Sequence, residues 1–179
     1  RDSDYGVKFP EFDQITYFRM GGFKSKLSNR NKGFPAALSD HHFRLFGSKM
    51  IKVRKKQKKP VIGFCGHANL SLIKMFKESL KIFSINVHRL FQNPFRDDYE
   101  PIYPSGYQRA RLLNEIRSCD DLETNFIYRD KYRGGAINKV EKKKTTLEYF
   151  KNIRDSDYIF CLRGGGNFSI RLYETLMMG

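Results

Sequence analysis

Short apolar runs alternate with helical patterns along residues 58–179, and this alternation is the strongest constraint on the fold. Residues 61–65 form an apolar run bounded by Pro60 and Gly66, as expected of a buried strand. The segments 124–128 and 157–162, which contain the apolar runs 126–128 and 158–162, predict two further strands, with helical patterns between and after them. Strands that alternate with helices are typical of βαβ units. We therefore predict an α/β fold with a mostly parallel sheet flanked by helices.

The predicted helices follow from apolar spacing and from capping signals. A stripe of large apolar side chains that share one face predicts a helix beginning near Leu72: Leu72, Phe76, Leu80 and Phe83. A second helix is expected over 105–119. Thr145, with Glu148 three residues later, has the pattern of a capping box and predicts a helix over 145–154. A last helix is expected after the glycine-rich loop described below.

Residues 1–57 lack this periodicity, so we predict a boundary near Lys58 in the chain of 179 residues. Turn-rich polar stretches separate its short apolar pieces. We expect an irregular N-terminal extension, a peripheral or inter-domain segment. It ends in a basic run at 52–59, a pattern typical of a solvated linker. Residues 58–179 are predicted to form a Rossmann-like domain.

The charge is strongly basic: 34 Lys and Arg residues against 19 Asp and Glu give a net charge of +15. Such a surface attracts phosphates, acidic glycans and other polyanions. The three cysteines show no Cys-x-x-Cys spacing, so neither a zinc site nor a disulfide framework is indicated. No apolar stretch is long enough to predict a membrane-spanning helix in this segment.

The strongest candidate for ligand binding is the Arg-Gly-Gly-Gly-Asn-Phe-Ser loop over 163–169. Its glycines let the backbone approach a ligand, and the helix after it presents free N–H groups that favour a phosphate. Arg163 can add a charge-assisted hydrogen bond. In that helix Arg171 and Glu174 share a face, where Glu174 could accept from a ribose diol. The loop therefore predicts binding of a nucleoside diphosphate.

Alternative interpretations stay open at this point. A glycine-rich loop between a strand and a helix can be only a tight connection, and Arg171 with Glu174 can be a surface ion pair. The Gly-x-Gly-x-x-Ser spacing follows a late strand, so NAD binding is not supported. Asp155 and Asp157 spell an Asp-x-Asp motif, but they precede a strand and are interpreted as a loop boundary without metal.

The residues at the C-terminal end resemble the signature of the exostosin-like glycosyltransferases. In that family an R-G-x-G-N-F-S-x-R-x-Y-E-x-L block follows an S-D-Y/F-x-x-C strand; here the two pieces are 162–179 and 156–161. Residues 59–66, the helix around Arg109 and Arg111, and residues 124–129 are also similar. The resemblance covers 58–179 well and 1–57 loosely.

The resemblance implies the donor-binding half of a GT-B glycosyltransferase, which transfers a sugar from a nucleotide diphosphate sugar to a glycan acceptor. Family members of this group generally invert the anomeric centre and need no metal or other cofactor. The expected nucleotide-sugar site comprises Arg163, Gly164, Gly165, Gly166, Asn167, Ser169, Arg171 and Glu174. Additional candidates at the same edge are His67, Arg109 and Arg129. The resemblance also implies that 1–57 is a linker or a remnant of the acceptor-binding half, and that 58–179 is a nucleotide-sugar-binding domain incomplete at its C-terminus. The catalytic base is expected on the acceptor half and stays unassigned, so this stretch alone is expected to be incomplete as an enzyme.

The rival hypothesis from the same sequence is a basic nucleic-acid-binding module without catalytic activity. The net charge favours it, but no recognition-helix, zinc-finger or base-stacking motif accompanies that charge. The compartment depends on the source of the chain. A microbial member, which the richness in Lys, Asn, Ile and Phe favours, would be cytoplasmic, and a eukaryotic member would work in the Golgi lumen.

Overall fold

The computed structural model describes residues 12–21, 24–35, 38–48, 55, 57–92, 94, 99–164 and 169–179. The strands in this part of the chain are β1 Tyr17–Arg19, β2 Asn31–Gly33, β3 Val61–Gly66, β4 Glu123–Tyr128 and β5 Tyr158–Ile159. The α-helices are α1 His41–Phe46, α2 Leu72–Gln92, α3 Ser105–Arg117, α4 Lys139–Arg154 and α5 Ile170–Met178. The predicted α/β class is confirmed: small parallel sheets are flanked by helices.

The main sheet has the order β4-β3-β5, and both pairings are parallel. β3 is its central strand, which explains why this run is apolar without alternation. Phe64 and Cys65 are buried, and the backbone of Gly63 passes close to β5. A side chain on Gly63 would begin 2.6 Å from Cδ1 of Ile159, so the close approach of these strands requires glycine.

The helix before β5 begins earlier than predicted. α4 starts at Lys139, and the side chain of Asn138 caps it by accepting from the N–H of Glu141 at 2.8 Å. Glu141 in turn accepts from the N–H of Ile137 at 3.0 Å, so Asn138 and Glu141 form the capping pair. The predicted start at Thr145 is wrong, because its hydroxyl donates to the carbonyl of Lys142 inside the helix.

Polar contacts join β3, α4 and the residues before β5 at the amino ends of the strands. Oδ2 of Asp157 accepts from the N–H of Val61 at 2.8 Å, and the buried hydroxyl of Ser156 donates to the carbonyl of Asn152 at 2.7 Å. Residues 155–157 lie between the end of α4 and the start of β5, which confirms the predicted loop boundary. These contacts also explain how a short strand such as β5 is held in register with β3.

The core between α4 and α5 includes a contribution from the N-terminal segment. Phe150, Ile153 and Met178 are buried together, and Leu45 and Phe46 of α1 pack against them. The ring of His41 stacks on Phe150 with centroids 4.4 Å apart. Part of 1–57 thus belongs to the packed domain, while the boundary predicted near Lys58 stays a prediction.

Candidate functional site

The order of the strands places a topological switch point between β3 and β5. The chain leaves β3 toward β4 on one side, and later returns to β5 on the other side. Ligands of open parallel sheets bind outside the carboxyl ends of the strands at such a point. The carboxyl ends here are Gly66 of β3 and the residues after Ile159 of β5. His67 and the segment 160–164 therefore border the expected crevice.

Arg109, on the second turn of α3, is held rigidly at this edge. Its Nη1 donates to the carbonyl of His67 at 2.7 Å, and its Nη2 donates to the hydroxyl of Ser105 at 2.9 Å. A Cβ on Gly164 would lie 3.9 Å from Nη2 of Arg109, so the loop after β5 runs directly past the guanidinium. Arg109 is a predicted additional residue, and the structure places it beside the predicted loop.

Arg109 keeps donors that these two bonds do not use. A guanidinium has five N–H groups, and its buried Nε makes no hydrogen bond within the described residues. Burial lowers the pKa of Arg109 and the nearby charge of Arg171 lowers it further, but a guanidinium stays protonated at neutral pH. The result is a fixed, partly desolvated cation with spare donors.

Arg171, in the first turn of α5, ties two strand ends together. Its Nη2 donates to the carbonyl of Cys65 at 2.9 Å, and its Nη1 donates to the carbonyl of Phe160 at 3.2 Å. The guanidinium also lies over the ring of Phe64, 4.6 Å from the centroid. A Cβ on Gly66 would come within 2.8 Å of Nη2, so a glycine at this strand end makes room for the cation. Arg171 therefore anchors the edge and contributes its charge there.

Glu174 has a protein partner. Its Oε2 accepts from the hydroxyl of Tyr149 on α4 at 2.5 Å. Burial raises the pKa of the Tyr149 hydroxyl, and the neighbouring Glu174 carboxylate contributes to that increase. The hydroxyl therefore remains a donor at neutral pH. The structure thus shows a Tyr149–Glu174 contact at the position where sequence analysis predicted a contact to ribose.

The glycine-rich loop is described only at its ends. The guanidinium of Arg163 lies over the ring of Tyr103, 4.7 Å from its centroid, and Gly164 lies near Arg109. Ser169 precedes α5 as its N-cap residue, and its side chain makes no capping hydrogen bond. The predicted site residues Gly165, Gly166 and Asn167 lie outside the described residues.

The remaining predicted residues, His67 and Arg129, also follow strands at this edge. Nη2 of Arg129 donates to the carbonyl of Thr145 at 2.7 Å and to Glu148 at 2.6 Å, which ties it to α4. The ring of His67 lies against Gly106, where a Cβ would come within 2.9 Å of Cε1. Arg129 is thus engaged with the scaffold, and His67 borders the start of α3.

Sequence analysis missed Glu78, which caps α3 from another helix. Its Oε1 accepts from the N–H and the hydroxyl of Ser105 at 3.2 and 3.0 Å, and its Oε2 accepts from the N–H of Gly106 at 3.4 Å. Pro104, the N-cap residue of α3, offers no capping side chain. In the sequence, the lack of a capping residue before α3 was the only sign that another group caps this helix. It does not show that this group is the carboxylate of Glu78.

The electrostatics of the edge follow from these pairings. Arg109, Arg129, Arg163 and Arg171 are gathered near the strand ends. The nearby carboxylates are engaged: Glu78 caps α3, Glu148 pairs with Arg129, and Glu174 accepts from Tyr149. The excess of cations favours an anion that accepts several hydrogen bonds, such as a phosphate or a diphosphate.

Comparison with known proteins finds no family model, no curated protein and no solved structure that matches the chain. Within the described residues, no group of three or more His, Cys, Asp or Glu side chains is arranged to hold a metal ion. None of the helices in this part of the chain has the length and apolar character needed to cross a bilayer.

Proposed function

We propose that this chain binds a nucleotide diphosphate sugar at the carboxyl edge of β3 and β5, as the donor-binding half of an inverting, exostosin-like GT-B glycosyltransferase. The reaction would transfer the sugar to a glycan acceptor. The support is twofold: the resemblance of 156–179 to the family signature, and the arginine-rich edge beside the predicted loop.

The observation that carries the proposal is the position of Arg109. Its guanidinium is fixed by His67 and Ser105 at the switch point of the sheet, beside Gly164, with donors to spare. A diphosphate bound there would receive hydrogen bonds from a cation that is already oriented. Such preorganised donors stabilise charge that develops during a reaction without a cost of reorganisation.

In the proposed reaction a hydroxyl oxygen of the acceptor forms a bond to the anomeric carbon and gives its proton to a base. The bond between the anomeric carbon and the diphosphate breaks, and the diphosphate leaves with both electrons. Arg109, Arg163 and the N-terminal end of α5 would stabilise the additional negative charge. Arg171 would act mainly as a positioning residue, because its Nη groups already bind the carbonyls of Cys65 and Phe160. No residue of this chain is assigned as the base that activates the acceptor.

The proposed ribose contact of Glu174 has a specific consequence. An ionised carboxylate only accepts hydrogen bonds, so Oε1 could accept from a ribose diol while Oε2 accepts from Tyr149. Glu174→Gln should then weaken UDP about tenfold, which is the effect of losing a hydrogen bond to a charged group. It should leave inorganic pyrophosphate nearly unchanged. Parallel weakening of both ligands would mean that Glu174 only orients the site.

The proposal as a whole is tested by calorimetric titration of the chain with UDP, GDP and NAD in the absence of divalent metal. We expect a nucleoside diphosphate to bind more tightly than NAD. Preference for NAD or a strict requirement for Mn²⁺ would contradict the proposal. Short duplex DNA, titrated at several salt concentrations, tests the rival hypothesis: tight binding with a steep salt dependence would favour a nucleic-acid module instead.

A further inference from the structure

The outer face of α2 is apolar and carries many exposed side chains, although Val87 on the same face is partly buried. We call this surface the α2 stripe; its members are Leu72, Ile73, Phe76, Leu80, Phe83, Leu90 and Phe91. At 100° per residue these side chains fall within an arc of about 100°. Their exposed fractions run from 43% for Leu90 to 83% for Phe91. Sequence analysis predicted that four of them share a face, and the structure shows that this face is exposed.

The orientation of α2 is fixed by its opposite face. Glu78 caps α3, and the side-chain amide of Asn86 donates to the carbonyl of Glu100 at 2.7 Å. Arg89 pairs with the carboxylate of Glu100 at 2.8 Å, and both side chains are largely buried. These contacts hold that side of the helix against the domain. The α2 stripe therefore points away from the core because of specific polar contacts elsewhere on the helix.

The size of the α2 stripe exceeds that of an ordinary exposed patch. Seven large apolar side chains exposed by about half or more present on the order of 800 Å², whereas the largest patch on a typical monomer is about 300–600 Å². Scattered exposed leucines need no explanation, but this many exposed apolar side chains on one face of a helix mark a surface that contacts another molecule or a membrane.

A row of three lysines runs beside the α2 stripe on the same helix. Lys74, Lys77 and Lys81 are exposed, and none of them pairs with a carboxylate among the described residues. Their spacing of three and four residues puts the like charges on one face, where they repel one another. An anionic surface alongside the helix would remove that repulsion. We call these residues the lysine row.

We infer that the α2 stripe and the lysine row bind the surface of a membrane that contains anionic lipids. A helix that lies in the membrane interface has an apolar face rich in Phe and Leu and a polar face rich in Lys, which is the pattern of α2. The apolar side chains would enter the acyl boundary, and the lysine stems would extend along it to reach the headgroups. This inference is independent of the proposed function.

A second copy of the chain fits this surface less well than a membrane does. Each copy carries a net charge of +15, so pairing through α2 would bring two strongly basic surfaces together, with a lysine row on each. A protein groove would have to be concave and apolar over the length of a 21-residue helix and acidic along one side. An anionic bilayer offers both an apolar layer and a negative charge along the whole length of a helix that lies on it.

The experiment is cosedimentation of the whole chain with vesicles of phosphatidylcholine alone and with one third phosphatidylglycerol. We expect binding only to the anionic vesicles, with loss at high salt. Replacing Phe76, Leu80 and Phe83 by Gln should lower the partition coefficient at least tenfold. The control replaces by Gln three apolar residues elsewhere that are even more exposed: Ile137, Val140 and Leu176. The control should bind as the wild type does.

A second pair of variants tests the contribution of the lysine row to vesicle binding. Replacing Lys74, Lys77 and Lys81 by Gln should lower binding to the anionic vesicles at least tenfold, since each lysine near such a surface contributes about fivefold. Replacing the three exposed lysines Lys142, Lys143 and Lys144 of α4 by Gln lowers the net charge equally, and we expect a much smaller loss. Equal losses in the two variants would contradict a surface located on α2.

Three other outcomes would overturn the inference. The first is no binding to anionic vesicles. The second is self-association in sedimentation velocity that the Phe76, Leu80 and Phe83 variant abolishes, which would assign the α2 stripe to a second copy. The third is binding to polyglutamate that needs the α2 stripe as strongly as vesicle binding does, which would assign an acidic protein.

Discussion

Nη2 of Arg171 donates a hydrogen bond of 2.9 Å to the carbonyl of Cys65, although 106 positions separate the two residues in the chain. The bond joins the first turn of α5 to the end of the central strand. The same guanidinium reaches the carbonyl of Phe160 beyond β5. One side chain thus satisfies carbonyls from two neighbouring strand ends at the edge where the ligand is proposed to bind.

The first prediction follows from this arrangement. Arg171→Gln should lower the free energy of unfolding by about 2 kcal/mol or more, because two partly buried carbonyls lose their charged donor. Arg111→Gln is the control, since Arg111 is exposed on α3 and its one ion pair among the described residues, with Glu115, is long at 3.8 Å. Urea unfolding followed by circular dichroism measures both. Equal stability of the two variants would show that Arg171 does not anchor the edge.

A second prediction concerns the contact between β3 and β5. Gly63→Ala should destabilise the domain by about 1–3 kcal/mol, because the added Cβ would overlap Ile159 and Ser156 in the packed sheet. Gly33→Ala should be nearly neutral, since no atom lies within 4 Å of its Cβ position. If thermal unfolding finds the two variants alike, the close approach of β3 to β5 is not as described.

The cysteines provide a third prediction. Burial raises the pKa of the Cys65 thiol and of the Cys161 thiol, which keeps both protonated and unreactive at mildly alkaline pH. Cys119 is exposed beyond the end of α3. Iodoacetamide should therefore label Cys119 first in the folded chain, and all three only in urea. Mass spectrometry of the labelled peptides gives the order, and early labelling of Cys65 would contradict the buried central strand.

The fourth prediction is a pH dependence that originates at α1. Burial against Phe150 lowers the pKa of His41, and the charge of Arg44 lowers it further. When the pKa of a histidine is lower in the folded state, folding favours the neutral ring. The neutral His41 ring therefore contributes fully to the free energy of unfolding above the pKa of the unfolded state, about 6.5. That contribution decreases as the pH falls below the pKa of the unfolded state, and it is lost once the pH has fallen past the pKa of the folded state.

His41→Phe keeps a ring for stacking and removes the titration. The free energy of unfolding of this variant should fall less between pH 7.5 and about 5 than that of the wild type. An unchanged slope in His41→Phe would place the titrating group elsewhere.

Much of the sheet and its helices could be predicted from the sequence. β3 has an unbroken apolar run, α3 has a clear helical period, and β4 has a shorter apolar run at 126–128. The structure confirms these three elements within a few residues. The pairing of β1 with β2 could not be predicted, because Asn31–Gly33 contains no apolar residue. It depends instead on a contact distant in sequence, in which Nε of the buried Arg19 donates to Asn31 at 2.5 Å.

The candidate site likewise has one part that could be predicted from the sequence and one part that could not. The switch-point edge and its glycine-rich loop could be predicted, because local sequence patterns show the order of strand, loop and helix. The partners of Arg109, Glu78 and Glu174 are set by packing between elements far apart in the chain. Exposure of the α2 stripe was equally unpredictable, because the period of a helix shows which residues share a face but not which face is covered.

The most direct test of the central claim is the dissociation constant of UDP, measured by calorimetry without divalent metal, for Arg109→Gln and Arg111→Gln. Both variants remove one positive charge from α3, but only Arg109 borders the loop at Gly164. We expect Arg109→Gln to weaken UDP about tenfold or more, and Arg111→Gln to leave it within about twofold. Equal affinities in the two variants, or no measurable binding of UDP to the wild-type chain, would contradict a diphosphate site at this edge.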